Sequence, residues 1–284
     1  MTDAALAQAV TETPFAADLA AIRALATVLP GPLPTAVNGI RVAASIRPRK
    51  FVIAGGDETP VTMPRTAFQI VYPDATVMID AGLDRATHES FGADEPYDDA
   101  AFARLRAALD AARLIVFTHF HADHIAGVVT APNFAALGAK TVASALTAEL
   151  MVNAPHRPQL RLTPEAAARF IILDYPAYYP VAPGLVLIKA PGHSADHQMV
   201  YIRLQSGREL LHSVDVAWNM ANIRAVQGKA APWVKEDVPA VLGQLRWLNR
   251  IDASEPNVTI LVTHDDERFD AAVKSGAVGA NLVM

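Results

Sequence analysis

At Leu114 the chain enters an unbroken apolar run, Leu114-Ile115-Val116-Phe117, and leaves it directly into Thr118-His119-Phe120-His121-Ala122-Asp123-His124. Such a run reads as a short buried strand. Four potential metal ligands in six positions therefore stand at the exit of a rigid element, and the chain must fold so that this exit opens on a cleft. Near a strand end, residues two apart point the same way, so His119 and His121 can reach one ion together. Asp123 and His124, where the chain turns into the next helix, can aim at a second ion. Imidazole nitrogen and carboxylate oxygen suit Zn, Fe, Mn or Co, and with no cysteine in the chain no softer ligand is available.

Partners for this loop come from the rest of the chain. From about Arg41 short strands alternate with helices. Strands are expected at Phe68–Val71 and Thr76–Ile79, around Lys140–Ala143, and at Leu185–Ile188, Met199–Leu204, Glu209–Ser213 and Val258–Val262, with Ser206-Gly207 as a hairpin turn. The spacing of Phe102, Leu105, Ala108 and Leu109 predicts a helix over Ala101–Ala112, preceded by Asp98 and Asp99. Further helices are expected near Thr147–Val152, over Pro164–Ile171 and over Val238–Ile251, and Gly276 is expected to close the last one. His119, His193, Asp215 and His264 each stand just past the end of an expected strand, and Thr76–Ile79 ends in Asp80. Polar residues gathered at one sheet edge converge on one cleft while the strands hold them rigid.

Hydrophobic residues make up 52% of the 284 positions and charged ones 19%, enough for a sizeable core. A formal net charge of -5 gives no basic field for nucleic acid. Residues 1–40 are expected to form an N-terminal helical arm ending at Pro30-Gly31-Pro32, and residues 41–284 the main domain. Such an arm packs on the domain or on a second subunit, which makes a homodimer one expected arrangement. Its apolar residues are interrupted by Asp3, Glu12, Asp18 and Arg23, so it reads neither as a signal peptide nor as a membrane span. A cytoplasmic location with no membrane partner is the expectation, although export is compatible with the same features. The lack of cysteine excludes disulfides and a thiol nucleophile, and no Gly-x-Ser-x-Gly elbow is present.

The stretch His119-Phe120-His121-Ala122-Asp123-His124 resembles the HxHxDH signature of the metallo-β-lactamase-fold superfamily, and the resemblance runs from about Phe68 to the C-terminus. It implies an α/β chain folded as an αββα four-layer sandwich with metals at one sheet edge. It further implies two divalent metal ions, with Zn favoured over Fe, Mn or Co. His119, His121 and His193 would hold the first, Asp123, His124 and His264 the second, and Asp215 would bridge them. Asp80 matches a position that steadies the histidine loop from behind, and Thr118 stands beside the first ligand. Of the other histidines, His212 is expected in the core, His197 in a supporting role, and His88 and His156 at the surface or a pocket rim.

Within that superfamily, Pro191-Gly192-His193-Ser194-Ala195-Asp196-His197-Gln198 resembles the PGHTPGHQ stretch of N-acyl-homoserine lactonases. Thr263-His264-Asp265-Asp266-Glu267 is similar to their HD-x-E segment, whereas glyoxalase II shows a His-Glu-Tyr run. The lactonases place a tyrosine three residues after the bridging aspartate; Trp218 stands here, and its indole N–H donates with a different reach. Trp218 and Phe120 are expected to line the pocket of a small-molecule substrate. The implied function is a dinuclear hydrolase in which the two metals acidify a shared water. The resulting hydroxide would attack a lactone or related ester, and Asp123 would relay the proton to the leaving group. The alternatives are an organophosphate or aryl ester hydrolase, or a glyoxalase II-like thioesterase. Outside hydrolysis they are a redox iron protein or a binding module that kept its metals; intact ligands and the missing flavin domain argue against these two.

Overall fold

The protein is described by a computed structural model covering residues 12–92 and 94–284. Eleven strands are present among the described residues: β1 (Ala36–Pro48), β2 (Pro60–Val71), β3 (Thr76–Ile79), β4 (Leu114–Val116), β5 (Thr141–Ser144), β6 (Ile171–Leu173), β7 (Tyr178–Ala182), β8 (Leu185–Lys189), β9 (Gln198–Arg203), β10 (Glu209–His212) and β11 (Val258–Leu261). They form two sheets, one of six strands ordered β1-β2-β3-β4-β5-β6 and one of five ordered β11-β10-β9-β8-β7. In the first, β1, β2 and β3 are antiparallel and β3 to β6 run parallel. In the second only β10 and β11 pair in parallel.

The αββα layering follows from strands that are apolar on both faces. Val77, Ile79, Val116 and Val142 face a central core shared with Leu185, Leu187, Val200, Ile202, Leu210 and Leu261 of the second sheet. Their neighbours Met78, Ile115 and Ala143 point the other way, into an outer layer with Leu105 and Leu109 of the helix Asp99–Ala111. Val186, Ile188, Met199, Tyr201 and Ile260 face the opposite outer layer, where Val241, Leu245 and Leu248 of the helix Val238–Ser254 cover them. The period of two along each strand thus builds one inner and two outer cores.

Several expectations hold with shifted ends. Asp98 caps the helix Asp99–Ala111 by accepting the Ala101 N–H at 2.8 Å, and Gly276 has φ +67 just past the helix Asp266–Lys274. Three differ. The boundary at residue 40 falls inside β1, a 13-residue strand whose small and polar residues hide its period. β2 begins eight residues before the expected Phe68, with Pro60 and Pro64 obscuring its start. The helix expected to reach Ile171 stops at Ala167, and Ile171–Leu173 is the edge strand β6.

In the N-terminal segment the helix Leu19–Leu25 is capped by Asp18 and buries Ile22 in the outer core of the second sheet. Arg23 ties it down through Glu209 at 2.8 Å and Glu255 at 2.7 Å. This part of the arm packs on its own domain; the expectation for residues 1–11 lies outside the described residues. Among the described residues no helix is long and apolar enough to cross a membrane.

Candidate metal centre

Five strand ends meet at one edge. Asp80 follows β3, His119 follows β4, His193 follows β8, Asp215 follows β10 and His264 follows β11. Asp80 leaves its strand with φ +62, a conformation that Asp tolerates better than most residues. The helix Ala122–Val129 carries Asp123 and His124 into the cleft and is buried along almost its whole length. It lies so close to the Asp80 loop that a Cβ on Gly127 would come within 2.0 Å of the Ala81 carbonyl oxygen. The Ala81 N–H donates to the His124 carbonyl at 2.7 Å, and the Gly127 N–H to Gly82 at 3.1 Å.

Ligand atoms of His119, His121, His193 and Asp215 all lie within 4.8 Å of one another, and so do those of Asp123, His124 and His264. Asp215 stands between the groups: its Oδ2 is 3.4 Å from His193 Nε2 and 3.2 Å from His264 Nε2, and its Oδ1 is 3.6 Å from His124 Nε2. Asp123 Oδ2 is 3.6 Å from His264 Nε2 and 3.8 Å from His124 Nε2. His193 Nε2 and His121 Nδ1 are only 3.0 Å apart.

Hydrogen bonds on the far side of each ring set where its proton resides. His124 Nδ1 donates to Asp80 Oδ2 at 2.7 Å, His264 Nδ1 to the Pro64 carbonyl at 2.7 Å and His193 Nδ1 to Glu236 Oε1 at 2.5 Å. Thr118 Oγ1 donates to Asp80 Oδ2 at 2.9 Å, which leaves it to accept from His119 Nδ1 at 3.1 Å. Each of these four rings, when neutral, therefore turns a bare Nε2 inward. His119 Nε2, His124 Nε2 and Asp215 Oδ1 are buried with no protein partner. Buried acceptors in that number, converging without a donor, are unfavourable in the protein alone and fit divalent cations. The donor set is nitrogen and carboxylate oxygen throughout, which suits Zn, Fe, Mn or Co.

The electrostatics agree. Burial, reinforced by neighbouring imidazoles, pushes the pKa values of His119 and His121 well below the ordinary histidine value, so both are neutral. Burial opposes charge on Asp215 and Asp123 too, but His264 and His124 beside the first, and Arg65 beside the second, hold both as carboxylates. Asp80, Asp215 and Asp123 in turn raise the pKa of His124 well above the ordinary value, so in the protein alone that ring holds a proton which a bound cation would displace.

Several residues behind the ligands escaped the sequence reading because they are distant in the chain and belong to no motif. Glu236, which receives His193, also accepts from Lys229 Nζ at 2.6 Å, with 1% of the lysine side chain and 4% of the glutamate exposed. Lys229 in turn donates to the Asp215 carbonyl at 2.5 Å and to that of Val216 at 3.1 Å. One buried ion pair thus braces two candidate ligands from different strands. Arg65 of β2 donates to Asp123 Oδ2 at 2.7 Å and to Ser45 Oγ at 3.0 Å. Asp196 accepts from the Phe120 N–H, Thr147 Oγ1 and Ser194 Oγ, stitching the ligand loop to the His193 loop.

Of the remaining expected residues, Thr118 and Asp80 sit behind the rings as described. Trp218 is buried; its N–H donates to Asp215 Oδ2 at 3.3 Å and its ring stands edge-on to His264. Phe120 is half-buried against the His121 ring, with centroids 4.9 Å apart. His197 spends both nitrogens, donating to Ala190 and accepting the Asp215 N–H at 3.1 Å, so it braces rather than ligates. His212 is buried edge-on to Phe68. His156 lies against His121 at the rim, centroids 4.3 Å apart. His88 departs from its expected surface position: it is 1% exposed, packed beside Tyr97, because the helix Arg85–Glu89 turns it inward.

A family model described as the metallo-beta-lactamase superfamily matches residues 62–207, just over half of the chain. No curated protein matches the sequence. Among solved structures, an N-acyl homoserine lactone hydrolase with the product N-hexanoyl-L-homoserine at its catalytic metal centre aligns with a TM-score of 0.67 and 17% identity, over 84% of this chain and 96% of its own. A quorum-quenching N-acyl homoserine lactone lactonase aligns at 0.68 with 17% identity, over 88% and 99%. The dizinc quorum-quenching lactonase AidC aligns at 0.59 with 13% identity, over 81% and 87%. These likenesses establish the shared fold. With the ligand loop inside the matched residues and the αββα layers around it, the chain belongs to the metallo-β-lactamase superfamily.

Proposed function

We propose that the protein is a metal-dependent hydrolase with a dinuclear centre that opens lactones or cleaves related esters. The observation that carries this reading is the inward convergence of histidine nitrogens and two carboxylates, among which His119 Nε2, His124 Nε2 and Asp215 Oδ1 are buried with no protein partner. His119, His121 and His193 would hold one divalent ion, Asp123, His124 and His264 the other, with Asp215 shared. Bound there, two such cations would acidify a water and polarise the scissile carbonyl. The chain's own residues do the rest. Asp80 and Glu236 fix the tautomers of His124 and His193. Lys229 anchors the Asp215 backbone, and Trp218 donates to its carboxylate, which limits how it can turn. Arg65 keeps Asp123 ionised and oriented, so that a proton taken up at Asp123 Oδ is passed on readily to a departing alkoxide.

The lactone assignment is supported by the Pro191–Gln198 and Thr263–Glu267 segments and by the lactonases among the structural neighbours. Zinc is favoured by the dizinc neighbour. The aromatic rim of Phe120 and Phe91 would accept aryl leaving groups equally well, so aryl esters and phosphotriesters belong in the same test. That test is metal analysis of the purified protein followed by turnover of lactones, aryl esters and phosphotriesters by the zinc, cobalt and manganese forms. Two ions per chain with lactone turnover is the expected result. Failure of every metal-replete form to hydrolyse any of the three classes would overturn the proposal.

A further inference from the structure

Of the four side chains grouped around the first metal position, His119, His193 and Asp215 are buried and only His121 is partly exposed. A substrate therefore reaches the centre past His121. The ring lying on His121 is His156, and its next aromatic neighbour is Phe91, with centroids 6.0 Å apart. Phe91 carries two guanidinium groups, that of Arg157 at 4.2 Å from the ring centroid and that of Arg65 at 4.8 Å. Their situations differ. Arg65 is buried and committed to Asp123 and Ser45. Arg157 is half-buried and no carboxylate among the described residues pairs with it; its Nε, like that of Arg65, is buried without a partner.

His156 adds a neutral donor. Its Nδ1 accepts the Ala122 N–H at 3.0 Å, so its proton is on Nε2, which has no hydrogen-bond partner among the described residues. The rim thus offers a guanidinium and an imidazole N–H from adjacent residues, over an aromatic floor, on a protein whose net charge is -5. Its contact with Phe91 holds the Arg157 guanidinium in place and spares part of the rotamer entropy that a free arginine would lose on binding. Desolvation of a cation with no counter-ion is unfavourable unless an anion arrives to complete it.

We propose that Arg157, with His156 Nε2 beside it, forms a specificity subsite for a carboxylate on the substrate. The preferred substrates are then acidic lactones or esters, with the carboxylate remote from the bond that is broken. This rests on the hydrolase reading of the centre above. A planar carboxylate matches the fork of the guanidinium, and its second oxygen can take the histidine N–H.

The test compares two isosteric pairs on the metal-replete enzyme: a γ-butyrolactone bearing a carboxymethyl or a carboxamidomethyl group, and a phenyl acetate bearing a para-carboxylate or para-carboxamide. In the native protein kcat/KM is expected to favour the carboxylate member at least about ten-fold, or ~1.4 kcal/mol, mainly through KM. In Arg157→Gln the ratio falls to about one, and Arg157→Lys restores part of it. A native ratio near one, or a ratio that Arg157→Gln leaves unchanged, overturns the subsite. If neither lactone reacts but the acidic aryl ester is preferred through Arg157, the lactone assignment falls and the subsite stands. If no ester reacts, calorimetry with benzenesulfonate, a poor metal ligand, decides on the native chain: binding lost in Arg157→Gln supports the subsite, and equal or absent binding overturns it.

Discussion

Replacing Glu236 by Gln should separate the two jobs that this carboxylate does. Its Oε1 receives His193 Nδ1 at 2.5 Å and Lys229 Nζ at 2.6 Å, in a place where neither partner meets solvent. Removing one member of a buried ion pair typically costs about 3–5 kcal/mol, because the other charge stays buried and unpaired. Lys229 keeps the Asp215 and Val216 carbonyls as acceptors, so the lower end, about 3 kcal/mol, is expected in urea denaturation of the metal-free protein. The second effect falls on the metal. A glutamine amide can still accept from His193, but it no longer raises the basicity of the ring through a negative charge. Affinity for one ion should drop by roughly 10–100-fold. Calorimetric titration of zinc into the stripped protein should show only the event involving His119, His121 and His193 weakened, with the event at Asp123, His124 and His264 little changed. Adding Lys229→Met to Glu236→Gln should return stability by removing the orphaned ammonium, without returning the metal affinity. Stability within about 1 kcal/mol of native and both affinities within about two-fold would refute the bracing role.

Three other outcomes follow from the geometry. Asp123→Asn still offers Arg65 an acceptor, so the fold should persist while turnover by the metal-replete enzyme drops about 10²–10⁴-fold; near-native steady-state rates would remove Asp123 from proton transfer. Gly127→Ala forces a methyl to within 2.0 Å of the Ala81 carbonyl, and a loss of about 1–3 kcal/mol by thermal or urea melting is expected as the helix backs away from the Asp80 loop; a melting curve matching native would contradict that packing. His212 is fully buried and its pKa is lowered by burial to about 4 from an ordinary 6.5, so the unfolded chain binds the extra proton between those values. Stability should therefore fall as pH drops from 7 towards 4, by up to about 3 kcal/mol from this residue, and His212→Gln should flatten that part of the profile. An identical pH dependence in the variant would show that other groups govern it.

The inward-facing ring nitrogens depend on support that sequence patterns reveal unevenly. Asp80 could be found because it ends an apolar strand, as His119 does, and matches a family position behind the histidine loop. Glu236 and Lys229 carry no such mark: they lie in a mixed stretch, Gly228 to Asp237, without period or motif. Arg65 was equally hidden, since the prolines at 60 and 64 break the strand pattern around it. His88 looked like a surface residue because a single polar side chain on a short helix gives no hint of which way it turns.

By itself the sequence determined the parts governed by local rules. Apolar runs of strand length, alternating with amphipathic helices, marked an α/β chain with buried strands, while the αββα arrangement of two sheets was implied by the resemblance of the His119–His124 loop. The ligand types and their places at strand ends were equally explicit, because a strand's exit is fixed by its own residues. Tertiary structure decided what depends on elements distant in the chain meeting: that Asp215 stands between two groups of candidate ligands, that His197 braces it, and that Trp218 turns its N–H to that carboxylate. It also decided which cations gather beside the centre. Arg65 and Arg157 are 92 positions apart in the chain, and only the closing of the first sheet and its outer helices around Phe91 sets both guanidinium groups on one ring.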